Sequence, residues 1–239
     1  MKLLDLTLPS PAENLACDEA LLDAAEAGEI GECLRFWESP ELFIVVGYAN
    51  KVAAEVNATA CEAHGFPILR RCSGGGTVVQ GPGCVSYAIV LRIEETGPTR
   101  SISASNQFIM ERNLTAMEAL LNQAVCIQGH TDLTLEGLKF SGNSQRRRRQ
   151  FLLFHGTFLL NFNLALIGEL LPLPSVQPEY RQRRDHRQFL TNLNLPAERV
   201  KEALQTIWGV RTDPPTLRWD RISALAQGKY STAAWNLRC

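Results

Sequence analysis

The sequence predicts an α+β fold in which a mixed, mostly antiparallel sheet is flanked by helices. Apolar residues such as Met110, Leu114, Met117 and Leu121 recur at helical spacing. Segments such as Val85 to Ile93 are mostly apolar and include β-branched residues, and Phe154 to Phe162 alternates with period two, so both read as strands. Short turns separate the strands where a parallel α/β fold would need regular helical crossovers.

The elements follow in order. Ser10-Pro11-Ala12-Glu13 opens a first helix, because Ser10 can cap, Pro11 suits the first turn and Glu13 completes a capping box. That helix ends near Gly28. Arg35 to Gly47 reads as a strand pair turned at Ser39-Pro40. A helix is expected from Ala53 to His64, stopped by Gly65 and Pro67. Ile68 to Cys72 is a strand, followed by a glycine-rich turn and the buried strand Val85 to Ile93. Ser105 to Ala124 is an amphipathic helix. In the 154–162 segment Phe154, Phe158, Leu160 and Phe162 take even positions, and His155, Thr157, Leu159 and Asn161 alternate with them. Pro196 to Trp208 is a helix with Val200, Leu204 and Ile207 on one face and Gly209 as its stop. No internal repeat appears. The expectation is a single domain over residues 1–239. Pro214-Pro215 is the one plausible boundary, and 216–239 forms a short tail without a large accessory domain.

The chain has 239 residues, 45% hydrophobic and 21% charged, with a formal net charge of -1, which excludes disordered and fibrous classes. The near-neutral charge argues against bulk nucleic-acid binding. No apolar segment follows Met1-Lys2-Leu3-Leu4-Asp5-Leu6, and runs such as Leu42 to Val46 are too short to span a membrane. The expected setting is cytoplasmic, with neither membrane nor nucleic acid as a partner. Seven cysteines stand at 17, 33, 61, 72, 84, 126 and 239. The count is odd and no C-x-x-C pair occurs, so free thiols in a reducing compartment fit better than disulfides or a zinc site.

Three segments carry chemistry. Arg70-Arg71-Cys72-Ser73-Gly74-Gly75-Gly76-Thr77 puts three glycines after a strand, where backbone N–H groups can approach a ligand as an anion nest. The two arginines can neutralise phosphate or carboxylate. The plainer alternative is a flexible turn, and the spacing is neither Walker A nor the dinucleotide fingerprint. Lys139-Phe140-Ser141-Gly142-Asn143-Ser144-Gln145 places a lysine in a short strand before a small-residue turn, from which an ammonium can stabilise charge on a carbonyl or phosphate. Most lysines are merely solvated. His155-Gly156-Thr157 lies on the polar face of an aromatic strand, as a catalyst or as a hydrogen-bonded structural residue.

Taken together, these strings resemble one family. Asn14-Leu15-Ala16 with Asp18-Glu19-Ala20-Leu21 resembles the opening helix of lipoate–protein ligases and their octanoyltransferase relatives. Arg70-Arg71-x-Ser73-Gly74-Gly75-Gly76-Thr77 is similar to their acyl-adenylate loop, Lys139-x-Ser141-Gly142-x-x-Gln145 to their lysine motif, and His155-Gly156-Thr157-x-Leu159-Leu160 to the strand that follows. Lys229-Tyr230 with Trp235-Asn236 resembles the tail. Each motif alone is weak; all five in order are specific.

The resemblance implies a fold related to biotin–protein ligases and class II aminoacyl-tRNA synthetases. It implies that lipoate and ATP form lipoyl-AMP, and that the acyl group then passes to a lysine of an acceptor lipoyl-domain protein, such as a 2-oxoacid dehydrogenase E2 or a glycine cleavage H protein. Lys139 would be the catalytic residue. Arg71, Ser73, Gly74, Gly75, Gly76, Thr77, Ser141, Gly142, His155, Gly156 and Thr157 would bind lipoate or octanoate as acyl substrate and the adenylate. Asp132 matches a family acid near the adenylate and is the candidate Mg²⁺ ligand.

Two departures stand out. The family loop usually continues with a His-Asp pair, whereas this chain has Gln80-Gly81-Pro82-Gly83-Cys84, so Gln80 takes over that contact or it is lost. The chain also ends where some relatives continue into an accessory domain, which a separate chain can supply. The alternative function is an ATP-independent octanoyl or lipoyl transferase that takes its acyl group from a carrier protein through a cysteine thioester, with Cys126 or Cys84 as nucleophile. Both can equally be buried apolar residues. Arg146 to Arg149 suggest a patch that steers an acidic acceptor, an RNA- or anion-binding module, or a solvated turn.

Overall fold

A computed structural model of the chain describes residues 1–174, 176–210 and 213–238. Its centre is a seven-stranded sheet of β1 (Lys2–Asp5), β2 (Cys33–Trp37), β6 (Cys84–Arg92), β7 (Cys126–Gln128), β8 (Asp132–Leu135), β9 (Leu138–Arg147) and β10 (Phe151–Leu159). They lie in the order β1-β2-β6-β10-β9-β8-β7. β1 and β2 run parallel and the other pairings are antiparallel, so the sheet is mixed and mostly antiparallel as predicted. A second sheet joins β3 (Phe43–Val46), β4 (Ile68–Arg70) and β5 (Val78–Gln80) in the order β4-β3-β5.

Both faces of the large sheet are covered. On one lies α1 (Pro11–Glu26), which buries Leu15, Ala16 and Leu22 against Ala88, Val90 and Leu153. The Ser10 capping box forms, with Glu13 N–H on Ser10 Oγ and the Glu13 carboxylate on Ser10 N–H. On the other face lie α4 (Ile102–Leu121) and α7 (Ala197–Trp208), whose Met110, Met117, Val200 and Leu204 meet Ile89 and Phe154. Each such aliphatic side chain contributes about 1.5–3 kcal/mol by leaving water. α4 starts one turn earlier than expected, because Ser101 caps it, and Asn122 stops it in the left-handed region.

Two expectations need correction. β2 and β3 do not pair; after Ser39-Pro40 the chain leaves the large sheet and starts the small one. β2 is buried along its whole length between β1 and β6, which leaves it no free edge. The helix expected over Ala53–His64 is two, α2 (Val52–Glu55) and α3 (Ala58–His64), because extended Val56 breaks the first and the Asn57 side chain caps the second. Small α5 (Leu164–Leu170) and α6 (His186–Phe189) edge the small sheet and a segment at 171–190.

Helical structure dominates from Trp219 to Asn236, with α8 (Trp219–Leu225), a π-helical turn at Ala226–Tyr230 and α9 (Ala233–Asn236). Ile222 and Tyr230 share a core cluster with α1, and Lys229 and Tyr230 both bind Glu19. Arg70 ties this end to the small sheet. Its fully buried guanidinium donates to the carbonyls of Gly47, Tyr48, Asn50, Trp235 and Arg238. Arg70→Met should leave those carbonyls unsatisfied and cost about 3 kcal/mol, so the unfolding midpoint should fall by roughly 6–12 °C. An unchanged thermal transition would show that this linkage contributes nothing.

Candidate active site

A cavity of about 570 Å³ opens between the α1-side face of the large sheet, the small sheet and the 171–190 segment. That volume suits a small-molecule ligand. Part of its wall is apolar, formed by Leu15, Trp37, Val45 and Val78 from one core cluster.

Lys139 lies on the polar wall, with Nζ 2.8 Å from Asp132 Oδ1. The Tyr180 hydroxyl donates to Asp132 Oδ2 at 2.7 Å. Burial and then the neighbouring Asp132 raise the Tyr180 pKa, which keeps the phenol a donor. The lysine sits in a strand of ten residues, and Ser141 to Ser144 continue that strand where a turn was expected. Lys139 and Gly142 are three residues apart, so strict alternation would put them on opposite faces. A β-bulge intervenes: Thr134 pairs with Lys139 and Leu133 with Ser141, leaving Phe140 as the extra residue. Phe140 goes into the core beside Phe158, and the lysine turns to the cavity. Its amine folds over Gly142, where an added Cβ would stand 2.7 Å from Nζ. Gly156 is needed for another reason, since a Cβ there would overlap Asn143 Oδ1.

In the glycine-rich loop only Gly75 has positive φ, at +82°; a Cβ there would meet Arg71 at 2.9 Å. Gly74 and Gly76 have open space around them. The close approach is made elsewhere, because a Cβ on Gly47 would collide with the Gly75 carbonyl. Arg71 organises the loop. Its Nε donates to Ser73 Oγ and Gly74 O, and its NH2 donates to Gly74 O and Gly76 O. Burial pushes its pKa down to about 10. Both arginines hold backbone carbonyls, and Arg71 also lines the cavity with no carboxylate paired to it among the described residues. Gly75, Gly76, Thr77 and Gln80 reach the cavity wall with Arg71, whereas Ser73 and Gly74 do not.

Ser73 is instead buried against His155, with Oγ 2.5 Å from Nε2. His155 Nδ1 is 3.3 Å from Asp18 Oδ2, and Arg35 donates to Asp18 Oδ1 at 2.5 Å. Burial alone raises the Asp18 pKa, but Arg35 and then His155 outweigh it and the net shift is downward. Ser141, Gly156 and Thr157 also line the cavity. Trp37, Thr77 and Gln80 line this wall, and their Nε1, Oγ1 and Oε1 atoms are buried without a hydrogen-bond partner among the described residues.

Asp18, Arg35 and Tyr180 were not singled out from the sequence as site residues. Asp18 was legible only as part of a helix motif, and nothing local in the sequence marks Arg35 or Tyr180. Other candidates lie elsewhere. Cys84 is buried off the cavity wall, with its thiol pushed up to about 12 by burial. Cys126 is exposed on β7, also off the wall. Among the described residues no cysteine lines the cavity; Cys239 lies outside them. Asp132 has both oxygens engaged by Lys139 and Tyr180, and no group of three His, Cys, Asp or Glu side chains comes together among the described residues. Among the described residues the side chains alone do not make an all-protein Mg²⁺ cage.

Residues 10–206 match the family described as the lipoyl protein ligase A/B catalytic domain. An octanoyltransferase LipM from Oceanobacillus iheyensis is 28% identical, over 95% of this chain and 93% of its own length. A lipoate–protein ligase 1 from Staphylococcus aureus is 27% identical, over 96% of this chain and 70% of its own. Among solved structures, lipoate-protein ligase A bound with ATP has a TM-score of 0.83 at 21% identity, covering 99% of this chain and 98% of that one. A bi-partite lipoate protein ligase from Thermoplasma acidophilum, studied with its E2 lipoyl domain, has a TM-score of 0.81 at 20% identity, covering 99% and 95%. At these identities the structural likeness shows a shared fold.

Proposed function

This chain belongs to the lipoyl protein ligase A/B catalytic domain family, and from that premise we propose that it activates lipoate with ATP to lipoyl-AMP and transfers the lipoyl group to a lysine of an acceptor lipoyl-domain protein. The observation that carries this reading is that a lysine, Lys139, faces the cavity, while no cysteine among the described residues does. The apolar wall takes the acyl chain. Lys139 draws charge from the carbonyl and phosphate oxygens of the mixed anhydride, which makes the carbonyl a better electrophile for the incoming amine. Asp132 and Tyr180 hold the ammonium in place. The glycine-rich loop, whose Gly75, Gly76 and Thr77 line the cavity, would supply backbone N–H donors to the adenylate. No step is assigned to Mg²⁺. An E2 or glycine cleavage H protein is the proposed acceptor, and the bi-partite Thermoplasma ligase supports a separate accessory chain as a further partner. We place the reaction in the cytoplasm; no helix among the described residues is long and apolar enough to cross a membrane.

The relatives named octanoyltransferase LipM favour a second reading, ATP-independent transfer from an acyl carrier protein through a cysteine thioester. Its candidates would be Cys126 or Cys84, and either would have to reach the cavity. The two readings separate in one experiment. The protein is mixed with an apo lipoyl domain and either lipoate plus ATP, synthetic lipoyl-AMP or octanoyl carrier protein, and the acceptor is weighed by mass spectrometry. We expect acylation from lipoyl-AMP, and from lipoate plus ATP, that survives thiol alkylation. Transfer from the carrier protein alone, lost on alkylation, would establish the second reading.

The arginine run narrows on inspection. Arg147 donates to Thr99 O, Ser101 O and Ser105 Oγ, and Arg148 pairs with Asp23 and Glu19. Arg146 packs over the Tyr48 ring, and among the described residues neither its side chain nor that of Arg149 pairs with a carboxylate. If these two steer the acceptor, the Arg146→Glu, Arg149→Glu double variant should slow transfer to the protein about fivefold at low salt. The defect should shrink as salt screens charges beyond ~10 Å at 0.1 M, and lipoyl-AMP formation should not change. Unchanged kinetics at low salt would reduce the run to a solvated turn.

A further inference from the structure

A chain of hydrogen bonds crosses the molecule from β2 to the glycine-rich loop, and its direction is set at one residue. Arg35 is fully buried and can only donate; it does so to Asp18 Oδ1. The ionised Asp18 can only accept. His155 Nδ1, facing Asp18 Oδ2, must therefore carry a proton, and in the neutral ring this leaves Nε2 bare. Nε2 then accepts from Ser73, committing the one hydroxyl proton, and the Ser73 oxygen accepts from Arg71 Nε. Arg71 finally donates to Gly74 O and Gly76 O, which fixes the loop around Gly75. Every group fits one polarity; the carboxylate of Asp18 sets it at His155 and Ser73, and the donor-only Arg71 completes it.

We propose that Asp18 is a positioning residue: acting through His155, Ser73 and Arg71, it sets the conformation of loop 73–77 and so the shape of the acyl cavity, to which Asp18, His155, Arg71 and Gly75 all contribute wall. The functional consequence rests on the acyl-transfer reading; the structural one does not. Asp18→Asn keeps the shape but offers an N–H₂ to His155. The ring must then accept at Nδ1 and donate from Nε2, and Ser73 loses its acceptor. Only the links at His155 reverse; Arg35 and Arg71 still only donate, so the Ser73 oxygen accepts from both His155 and Arg71 and its own proton is left without a partner.

Two measurements test this without any ligand. Ring ¹⁵N signals of His155 should show a protonated Nδ1 in the wild type and a protonated Nε2 in Asp18→Asn. The Tyr48 amide, which donates to Ser73 O at 2.8 Å, should exchange about tenfold faster in Asp18→Asn and in Ser73→Ala, as local opening becomes easier. The double variant should be no worse than either single one, because both act on the same path, and Asp18→Glu should restore part of the protection. In lipoate titrations affinity should fall in the same order. A wild-type ring protonated on Nε2, Tyr48 exchange unaffected by Asp18→Asn, or fully additive effects in the double variant would overturn the proposal. Should Asp18→Asn fail to fold because Arg35 is left unbalanced, Ser73→Ala, which keeps the Arg35–Asp18 pair, decides alone: wild-type Tyr48 exchange there overturns it. Absence of any lipoate binding by the wild type would count against the acyl-transfer reading, while the exchange data would still decide the role of Asp18.

Discussion

Lys139→Ala is expected to lower acyl transfer by about 10²–10³ while leaving the fold intact. The amine lies on the cavity wall and is only partly buried, so its removal opens no core cavity. Asp132 keeps the Tyr180 hydroxyl as a donor and remains on a partly solvated wall, which limits the destabilisation. The loss should appear when synthetic lipoyl-AMP is the donor, because the lysine is assigned to the acyl-transfer carbonyl as well as to activation. Lys139→Arg should also fail to restore full rate. A planar guanidinium is not a compact ammonium, and the space over Gly142 fits the amine closely. The checks are single-turnover transfer followed by mass spectrometry and a thermal melt. Transfer at the wild-type rate by Lys139→Ala, with an unchanged melt, would remove the lysine from the mechanism.

Gly75→Val should abolish detectable binding of a non-hydrolysable lipoyl-adenylate analogue. At φ +82° a β-branched residue is strained, and its Cβ would press on the Arg71 guanidinium that holds the loop carbonyls. Gly74→Ala and Gly76→Ala are the matched controls. Both positions have room for a methyl group and ordinary φ, so their affinities should stay close to wild type. Calorimetry of the three variants reads this directly. Equal affinity for Gly75→Val and wild type would show that the loop does not shape the site, and equal loss in all three would show that bulk anywhere in the loop is what matters.

The sequence carried much of this. The Ser10 box, the period-two alternation around Phe154 and the Gly209 stop are local signals, and they read correctly because hydrogen bonds and side-chain direction within a few residues decide them. The motifs around Lys139, Gly75 and His155 also identified the family and the segments that form the cavity. What local signals did not reveal was pairing. Two strands adjacent in sequence, β2 and β3, look like a hairpin, yet they belong to different sheets because β2 has both edges occupied by β1 and β6. Both partners are remote in sequence or separated by a helix.

At the site the division is similar. Residue types, order and spacing by themselves determined the family, the mixed sheet and the lysine, glycine and histidine segments around the cavity. Only the tertiary structure decided what each side chain does there. Arg70 and Arg71 are adjacent in sequence, yet Arg70 ties the C-terminal end to the small sheet through carbonyls, while Arg71 braces the glycine-rich loop at the cavity wall. Lys139 reaches the cavity through a bulge defined by the partner strand. Asp18 and Arg35 meet His155 across three elements. In each case the physical reason is the same: a charged or polar group, once buried, must find its partner among whatever atoms the fold brings near, and sequence spacing does not record those distances.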